Sequence, residues 1–158
     1  MSEQNPLYQD IILDYYEFPR NRGRIEGADA TCRGHNPSCG DDLTVSVKVT
    51  DGVIGSVMWD GHACAISEAS ASMMTEAVLD APTETAHAWV RTVRAAITGR
   101  GEADPTIELG DADALRVVNN RPARVKCALL AWETLDEALT LAAAIESRTH
   151  TADGDARS

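Results

Sequence analysis

Residues 43–59 read LTVSVKVTDGVIGSVMW, and their pattern decides the predicted fold. From Leu43 to Thr50, apolar and polar residues alternate with the period of a half-buried strand. Asp51-Gly52 is a typical hairpin turn, and residues 53–59 predict the returning strand. The stretch therefore predicts an antiparallel hairpin with one buried face.

Helical periodicity lies on both sides of this hairpin. Four segments carry apolar residues three or four positions apart, namely residues 5–18, 67–79, 82–98 and 122–146. In the first segment, Leu7, Ile11, Tyr15 and Phe18 form one stripe. Tyr8, Ile12 and Tyr16 form a second stripe beside it, which fits either contact with a partner protein or packing within the fold.

The remaining segments predict loops. Residues 20–42 are rich in Arg, Gly, Asn and Asp, and predict a loop with one short strand around Cys32. Residues 100–114 predict an acidic loop, followed by a short segment near Leu115. This order of elements predicts an α+β fold in which helices cover a small antiparallel sheet. Five large side chains are predicted to lie in its core: Met73, Met74, Trp59, Trp89 and Trp132.

Length and charge exclude several classes of protein. The 158 residues predict a single domain over residues 1–146 and a disordered tail over residues 147–158. A formal net charge of −11 disfavours binding to nucleic acid or to an anionic membrane surface. No apolar run approaches the roughly 18 residues of a membrane span, and no secretory signal is visible. A cytoplasmic location, where free thiols persist, is therefore expected.

Four cysteines are too few for a disulfide scaffold in a chain of this length, so they predict buried thiols, metal ligands or reactive thiols. Cys39 lies between Pro37 and Gly40, in a segment expected to bend tightly, and Asp41 follows two residues later. The Asp41 carboxylate fits either a metal ligand or a turn residue that accepts hydrogen bonds from backbone amides.

Two further cysteines are predicted near helix starts. Cys64 precedes the second predicted helix, and Cys127 lies near the start of the last one, where a helix dipole would favour a thiolate. Three thiols and the Asp41 carboxylate match the four ligands that zinc prefers. From spacing alone, three separate buried thiols are favoured over a shared metal, because the chain has no C-x-x-C pair.

Three blocks of sequence carry a resemblance to a known family. They are NPSCGDD at residues 36–42, GHACAISEASASMM at residues 61–74 and RVKCALLAW at residues 124–132. Together they resemble the iron–sulfur cluster assembly proteins of the IscU/SufU family, over about Leu7 to Leu139. The resemblance implies a three-stranded antiparallel sheet packed against helices.

Two features make the chain more similar to the SufU type than to the IscU type. IscU-type proteins carry a His immediately before the third cysteine, and this chain has Lys126 there. SufU-type proteins also carry an insertion between the second and third cysteines, which the long spacer between Cys64 and Cys127 accommodates.

The resemblance to SufU implies a zinc-dependent sulfurtransferase that accepts persulfide sulfur and passes it on for iron–sulfur cluster assembly. Its implied partners are a SufS-type cysteine desulfurase, which uses pyridoxal phosphate, and a downstream Suf scaffold complex. The resemblance implies a sulfur carrier that stimulates the desulfurase rather than a stand-alone enzyme. A histidine of the desulfurase is implied to replace one zinc ligand and so to free the acceptor thiol.

The resemblance also implies residue roles. The zinc ligands would be Cys39, Asp41, Cys64 and Cys127, with Cys39 as the catalytic sulfur acceptor because its loop can move. Arg124 and Lys126 are expected to offset the negative charge of the site or to contact the partner. Cys32 is expected to be a structural or incidental thiol, and His35 and His62 are expected not to be metal ligands.

Two other functions are compatible with parts of the sequence. The same cysteines and Asp41 can hold a [2Fe–2S] cluster, as in an IscU-type scaffold, although Lys126 argues against it. A zinc hydrolase or deaminase is disfavoured, because the chain lacks H-E-x-x-H and the deaminase pattern.

Overall fold

The computed structural model describes the backbone of residues 6–157 and the side chains of residues 6–147. In chain order, its elements are helix α1 (Pro6–Glu17), strands β1 (Ala30–Asn36), β2 (Asp41–Thr50) and β3 (Val53–His62), helices α2 (Ala65–Val78) and α3 (Thr83–Thr98), a 3₁₀ helix (Gly110–Val118) and helix α4 (Pro122–Arg157). The strands form an antiparallel sheet in the order β1-β2-β3. The predicted fold class is therefore confirmed.

The predicted hairpin is the β2–β3 pair. Asp51 and Gly52 join the two strands with φ angles of 52° and 76°, which suit a two-residue hairpin turn with both residues in the left-handed region. Leu43, Val45 and Val47 are fully buried, as the alternation predicted. The pairing places Gly61 of β3 opposite Leu43, so the end of β3 lies beside the start of β2.

Strand β1 is longer than the sequence predicted, and it brings α4 onto the sheet. At Gly34, a Cβ atom would lie 2.0 Å from Thr134 Oγ1 of α4, so only a residue without a side chain permits this close approach. Helix α4 packs on both β1 and β2, and α2 packs on β3 and α4. These contacts place the first turns of α4 next to the loop between β1 and β2.

The core lies between the sheet and the helices. Trp59, Trp132, Met73 and Met74 are buried there, as predicted. Trp89 is only partly buried, and its ring stacks on that of Trp132 with centroids 6.0 Å apart.

Helix α1 buries one residue from each of its two predicted stripes. Ile12 and Tyr15 are buried, whereas Leu7 and Phe18 are 61% and 65% exposed. Neither of the two stripes is buried along its whole length. Helical spacing defines a stripe of side chains, but the position of the neighbouring helices decides which stripe is covered.

The 3₁₀ helix replaces part of the predicted acidic loop and packs against α1. Its acidic side chains are anchored, since Tyr15 donates a 2.8 Å hydrogen bond to Asp111 and Tyr8 donates one to Asp113. Asp113 also pairs with Arg116. Burial disfavours the charge of Asp113, but the contacts with Tyr8 and Arg116 outweigh it and hold the pKa of Asp113 below its usual value.

We expect Asp113→Asn to destabilise the protein by about 1 kcal/mol at pH 7, a few degrees in Tm. Because the folded protein lowers the pKa of this carboxyl, its stabilisation is present above about pH 4 and is lost as pH falls. Thermal unfolding at pH 7 and at low pH measures the effect. Glu108→Gln, at an exposed acidic residue nearby, is the control. An equal loss of thermal stability in Asp113→Asn at pH 7 and at low pH would contradict the prediction.

Helix α4 extends further than the sequence predicted, to Arg157 rather than Glu146. Side chains are described only to Ser147, and disorder of residues 147–158 stays a prediction. Within the part of the chain that the structure describes, no helix has both the length and the apolar character needed to cross a bilayer.

Candidate metal centre

Cys39 lies on the exposed loop that joins β1 to β2. The loop bends through a turn in which the Cys39 amide donates to the Asn36 carbonyl at 3.2 Å. Gly40 follows with a φ of 72°, a conformation that glycine adopts without strain. The Asn36 side-chain amide lies 3.6 Å from the Cys39 sulfur, so this thiol has only a weak side-chain partner within the loop.

Asp41 is the first residue of β2 and is completely buried. Its Oδ1 atom accepts a 2.9 Å hydrogen bond from the Cys64 amide, and its Oδ2 atom lies 2.7 Å from the Ser67 hydroxyl. The side chain thus accepts a backbone hydrogen bond, as in the turn interpretation, but from a residue far along the chain. It also lies among the thiols, as the ligand interpretation requires.

Cys64 is the residue immediately before α2, in extended conformation. Its sulfur lies 3.6 Å from Ser67 Oγ and 3.9 Å from Asp41 Oδ2. The first free amides of a helix lie at this end, and their dipoles favour a thiolate.

Cys127 lies in the second turn of α4 and is completely buried. Its sulfur is 3.5 Å from the Ala123 carbonyl and 3.3 Å from the Cys39 sulfur. Burial first, and then the contacts with Cys39 and Asp41, raise the pKa of this thiol. Cys127 lies beyond the first turn, where the helix-dipole effect fades, and burial and these contacts dominate its pKa.

The ligand atoms of Cys39, Asp41 and Cys127 all lie within 4.8 Å of one another. Tetrahedral zinc with Zn–S bonds of about 2.3 Å requires sulfurs about 3.7 Å apart, so these positions fit a metal after small shifts. Cys64 lies outside that group of three but borders it through Asp41. The 3.3 Å between the Cys39 and Cys127 sulfurs is too long for a disulfide, and all four cysteines are free.

Arg124 and Lys126 flank this cluster on the first turns of α4, and both are exposed. Electrostatic interaction with Cys64, followed by contacts with Cys127, raises the pKa of Arg124. Its guanidinium therefore supplies positive charge beside the thiols. Lys126 instead borders a surface groove that also includes His35 and Glu133.

Other candidate residues lie outside the cluster. Cys32 is half-buried on β1, and burial raises the pKa of its thiol. His35 and His62 are exposed at strand ends, and among the described residues neither joins the group of side chains whose positions suit a metal ion.

Sequence reasoning missed Ser67, whose buried hydroxyl contacts three of the four cluster residues. Its position three residues after Cys64, in the first turn of a predicted helix, was the available signal.

Residues 7–147 match the model of the NifU-like N terminal domain. The chain belongs to that family. Because the match spans all three blocks with the clustered side chains, the family resemblance predicted from them is confirmed.

Two curated relatives are similar over most of their length. The chain is 37% identical to "Zinc-dependent sulfurtransferase SufU" of Bacillus subtilis, covering 83% of this chain and 88% of the relative. It is 38% identical to "Iron-sulfur cluster assembly scaffold protein IscU" of Thermotoga maritima, covering 84% and 92%. Sequence identity alone thus does not separate the two roles.

A solved structure supports the fold. A putative iron–sulfur cluster assembly scaffold protein for the SUF system from Fervidobacterium islandicum superposes with a TM-score of 0.74 at 33% identity. The superposition covers 86% of this chain and 98% of that one.

Proposed function

We propose that this chain is a zinc-dependent sulfur carrier that accepts persulfide sulfur from a SufS-type cysteine desulfurase and passes it to a downstream Suf scaffold complex. The observation that carries the proposal is an exposed thiol, Cys39, at the edge of a buried set of metal-binding side chains. The sulfurtransferase name of the Bacillus subtilis relative supports it. A cytoplasmic location is part of the proposal, because four free cysteines suit a reducing compartment.

Zinc would be held by Cys39, Asp41, Cys64 and Cys127. Bound zinc keeps its thiol ligands deprotonated and has no redox chemistry of its own, so it protects them without oxidising them. Three thiolates and a carboxylate leave the site with excess negative charge, which the neighbouring Arg124 guanidinium offsets.

Cys39 is the proposed acceptor because its environment differs from that of the other ligands. Asp41 and Cys127 are completely buried, and Cys64 is tied to α2, whereas Cys39 lies on an exposed turn. A desulfurase histidine that replaced Cys39 at the metal would free its thiolate without disturbing the buried residues. Exposed Lys126, next to Cys127, is placed to contact such a partner.

The proposed transfer is analogous to thiol–disulfide exchange. The Cys39 thiolate attacks the outer sulfur of the desulfurase persulfide, and a new S–S bond forms on Cys39. The S–S bond to the desulfurase cysteine breaks, and that cysteine leaves as a thiolate. Electrons and sulfur balance without an added oxidant or reductant, and Cys39 carries the persulfide onward.

The second candidate function is a scaffold for a [2Fe–2S] cluster. The name of the Thermotoga maritima relative favours it, and thiolates are the usual ligands of such clusters. Lys126 argues against this role, since it stands where IscU-type proteins carry a histidine.

Metal analysis coupled to a desulfurase assay separates the two functions. We expect the purified protein to contain about one zinc per chain and to raise desulfurase turnover by about tenfold or more, since it supplies a new acceptor for each persulfide. Removal of zinc with a chelator should abolish the stimulation, and added zinc should restore it. A stable cluster after anaerobic reconstitution, donated to an apo-acceptor without any stimulation, would instead establish the scaffold role.

A further inference from the structure

Ser67 contacts several buried residues of the site. It is in the first turn of α2 and is completely buried. Its hydroxyl oxygen lies 2.7 Å from Asp41 Oδ2, 2.9 Å from the Cys127 carbonyl oxygen and 3.6 Å from the Cys64 sulfur. One hydroxyl therefore contacts residues that come from a strand, a helix start and a second helix.

We propose that Ser67 is a positioning residue that orients the Asp41 and Cys64 side chains and fixes the backbone at Cys127, so that these three residues can hold a metal together. This set would keep the metal in place when Cys39 leaves it to accept sulfur. The inference rests on the proposed function, in which Cys39 is the ligand that leaves the metal to accept sulfur.

The Asp41 carboxylate is fixed at both of its oxygens. The Cys64 amide donates to Oδ1, while Ser67 contacts Oδ2, so rotation about the last side-chain bond would break one contact or the other. In a buried setting, a lost hydrogen bond is not replaced by water and costs about 1–3 kcal/mol. Ser67 thereby restricts the carboxylate to one orientation before a metal binds.

The same hydroxyl also lies 2.9 Å from the Cys127 carbonyl of α4, so its single proton is shared between that oxygen and Asp41 Oδ2 and connects α2 to α4. When metal ligands come from separate helices and strands, a shift between these elements lowers the affinity for the metal, because each ligand must then be brought back into place. The link fixes the spacing between Cys64 and Cys127, which lie on these two helices.

Cys39 lies outside this network. Among the described side chains, its sulfur contacts only the Asn36 amide at 3.6 Å and the Cys127 sulfur at 3.3 Å. Ser67 thus contacts the side chains of Asp41 and Cys64 and the backbone of Cys127, whereas Cys39 makes no described contact with Ser67.

Ser70 offers a matched control one turn further along α2. It is also completely buried, and its hydroxyl donates to the Ala128 carbonyl of α4 at 2.6 Å and accepts from Trp132 at 2.9 Å. It links the same two helices but contacts no proposed ligand side chain. Ser70→Ala therefore reports the loss of helix packing alone.

The test measures zinc affinity by competition with a chromogenic chelator, for Ser67→Ala and Ser70→Ala, each alone and combined with Cys39→Ala. Loss of a residue that orients a ligand typically costs 10- to 100-fold in metal affinity. We expect about tenfold weaker zinc binding for Ser67→Ala alone and about 100-fold in the Cys39→Ala background. Ser70→Ala should stay within about threefold of its parent in both.

Cobalt substitution supplies a readout that a packing defect would not move. The d–d absorption of Co²⁺ reports ligand number and geometry, so Ser67→Ala should change its intensity and position, whereas Ser70→Ala should not. Each Ser→Ala substitution removes only one oxygen atom, and alanine has a higher helix propensity than serine. Circular dichroism checks that the variants fold. Ser67→Thr, which keeps the hydroxyl, should restore zinc affinity towards that of the unmodified chain.

Equal zinc affinities and cobalt spectra for Ser67→Ala and Ser70→Ala would overturn the inference. A loss of zinc affinity in Ser67→Ala that is no larger in the Cys39→Ala background would also overturn it. Persulfide acceptance by the unmodified, zinc-loaded protein is measured in parallel. If it accepts sulfur while the two serine variants behave alike, the inference fails and the proposed function stands. If the unmodified protein binds no zinc, both fail.

Discussion

Cys39→Ala is expected to lower sulfur acceptance from the desulfurase by about 100-fold or more, because it removes the proposed attacking thiolate. Zinc should still bind through Asp41, Cys64 and Cys127, with affinity lowered by roughly 10- to 100-fold. Mass spectrometry of the protein after incubation with desulfurase and L-cysteine measures the gain of one sulfur atom per chain, and metal analysis measures retained zinc.

Cys32→Ala is the matched control for this variant. Cys32 is a free cysteine on β1 that lies outside the described metal-binding group, so its loss should leave both sulfur acceptance and zinc content unchanged. A Cys39→Ala protein that retains zinc and still gains sulfur at the normal rate would show that another cysteine is the acceptor.

Asp41→Ala is expected to weaken zinc binding by about 100-fold, because it removes one ligand and disturbs two others. The Cys64 amide and the Ser67 hydroxyl both lose their contact with the Asp41 carboxylate. The Cys64 amide then lacks its acceptor, which costs about 1–3 kcal/mol, so the metal-free protein should also unfold at lower temperature. The Ser67 hydroxyl keeps the Cys127 carbonyl as an acceptor at 2.9 Å. Chelator competition measures affinity, and calorimetry measures unfolding.

Asp42→Ala separates the role of this carboxylate from a general loss of negative charge. Asp42 is the next residue, and its carboxylate pairs with Arg33 at the surface, at 2.5 Å. The Asp42→Ala substitution should therefore leave zinc affinity unchanged. Unchanged zinc affinity in Asp41→Ala would show that Asp41 serves only as a turn and capping residue.

The hairpin was predictable because its signal is local. Alternation from Leu43 to Thr50 and the Asp51-Gly52 turn specify strand, turn and register within a few residues. The buried face of α1 was not predictable in the same way. Ile12 and Tyr15 are buried because the 3₁₀ helix and α2 pack there, and helical periodicity does not encode that packing.

The sequence by itself determined which side chains could form a metal site, because thiols and a carboxylate in three recognisable blocks are a chemical property of the chain. Only the tertiary structure decided how they differ. It buries Cys127 and raises the pKa of its thiol, leaves Cys39 exposed, and brings Ser67 to a carbonyl 60 positions away. Such differences depend on burial and on contacts between distant segments, and both arise when α4 packs onto the sheet and α2.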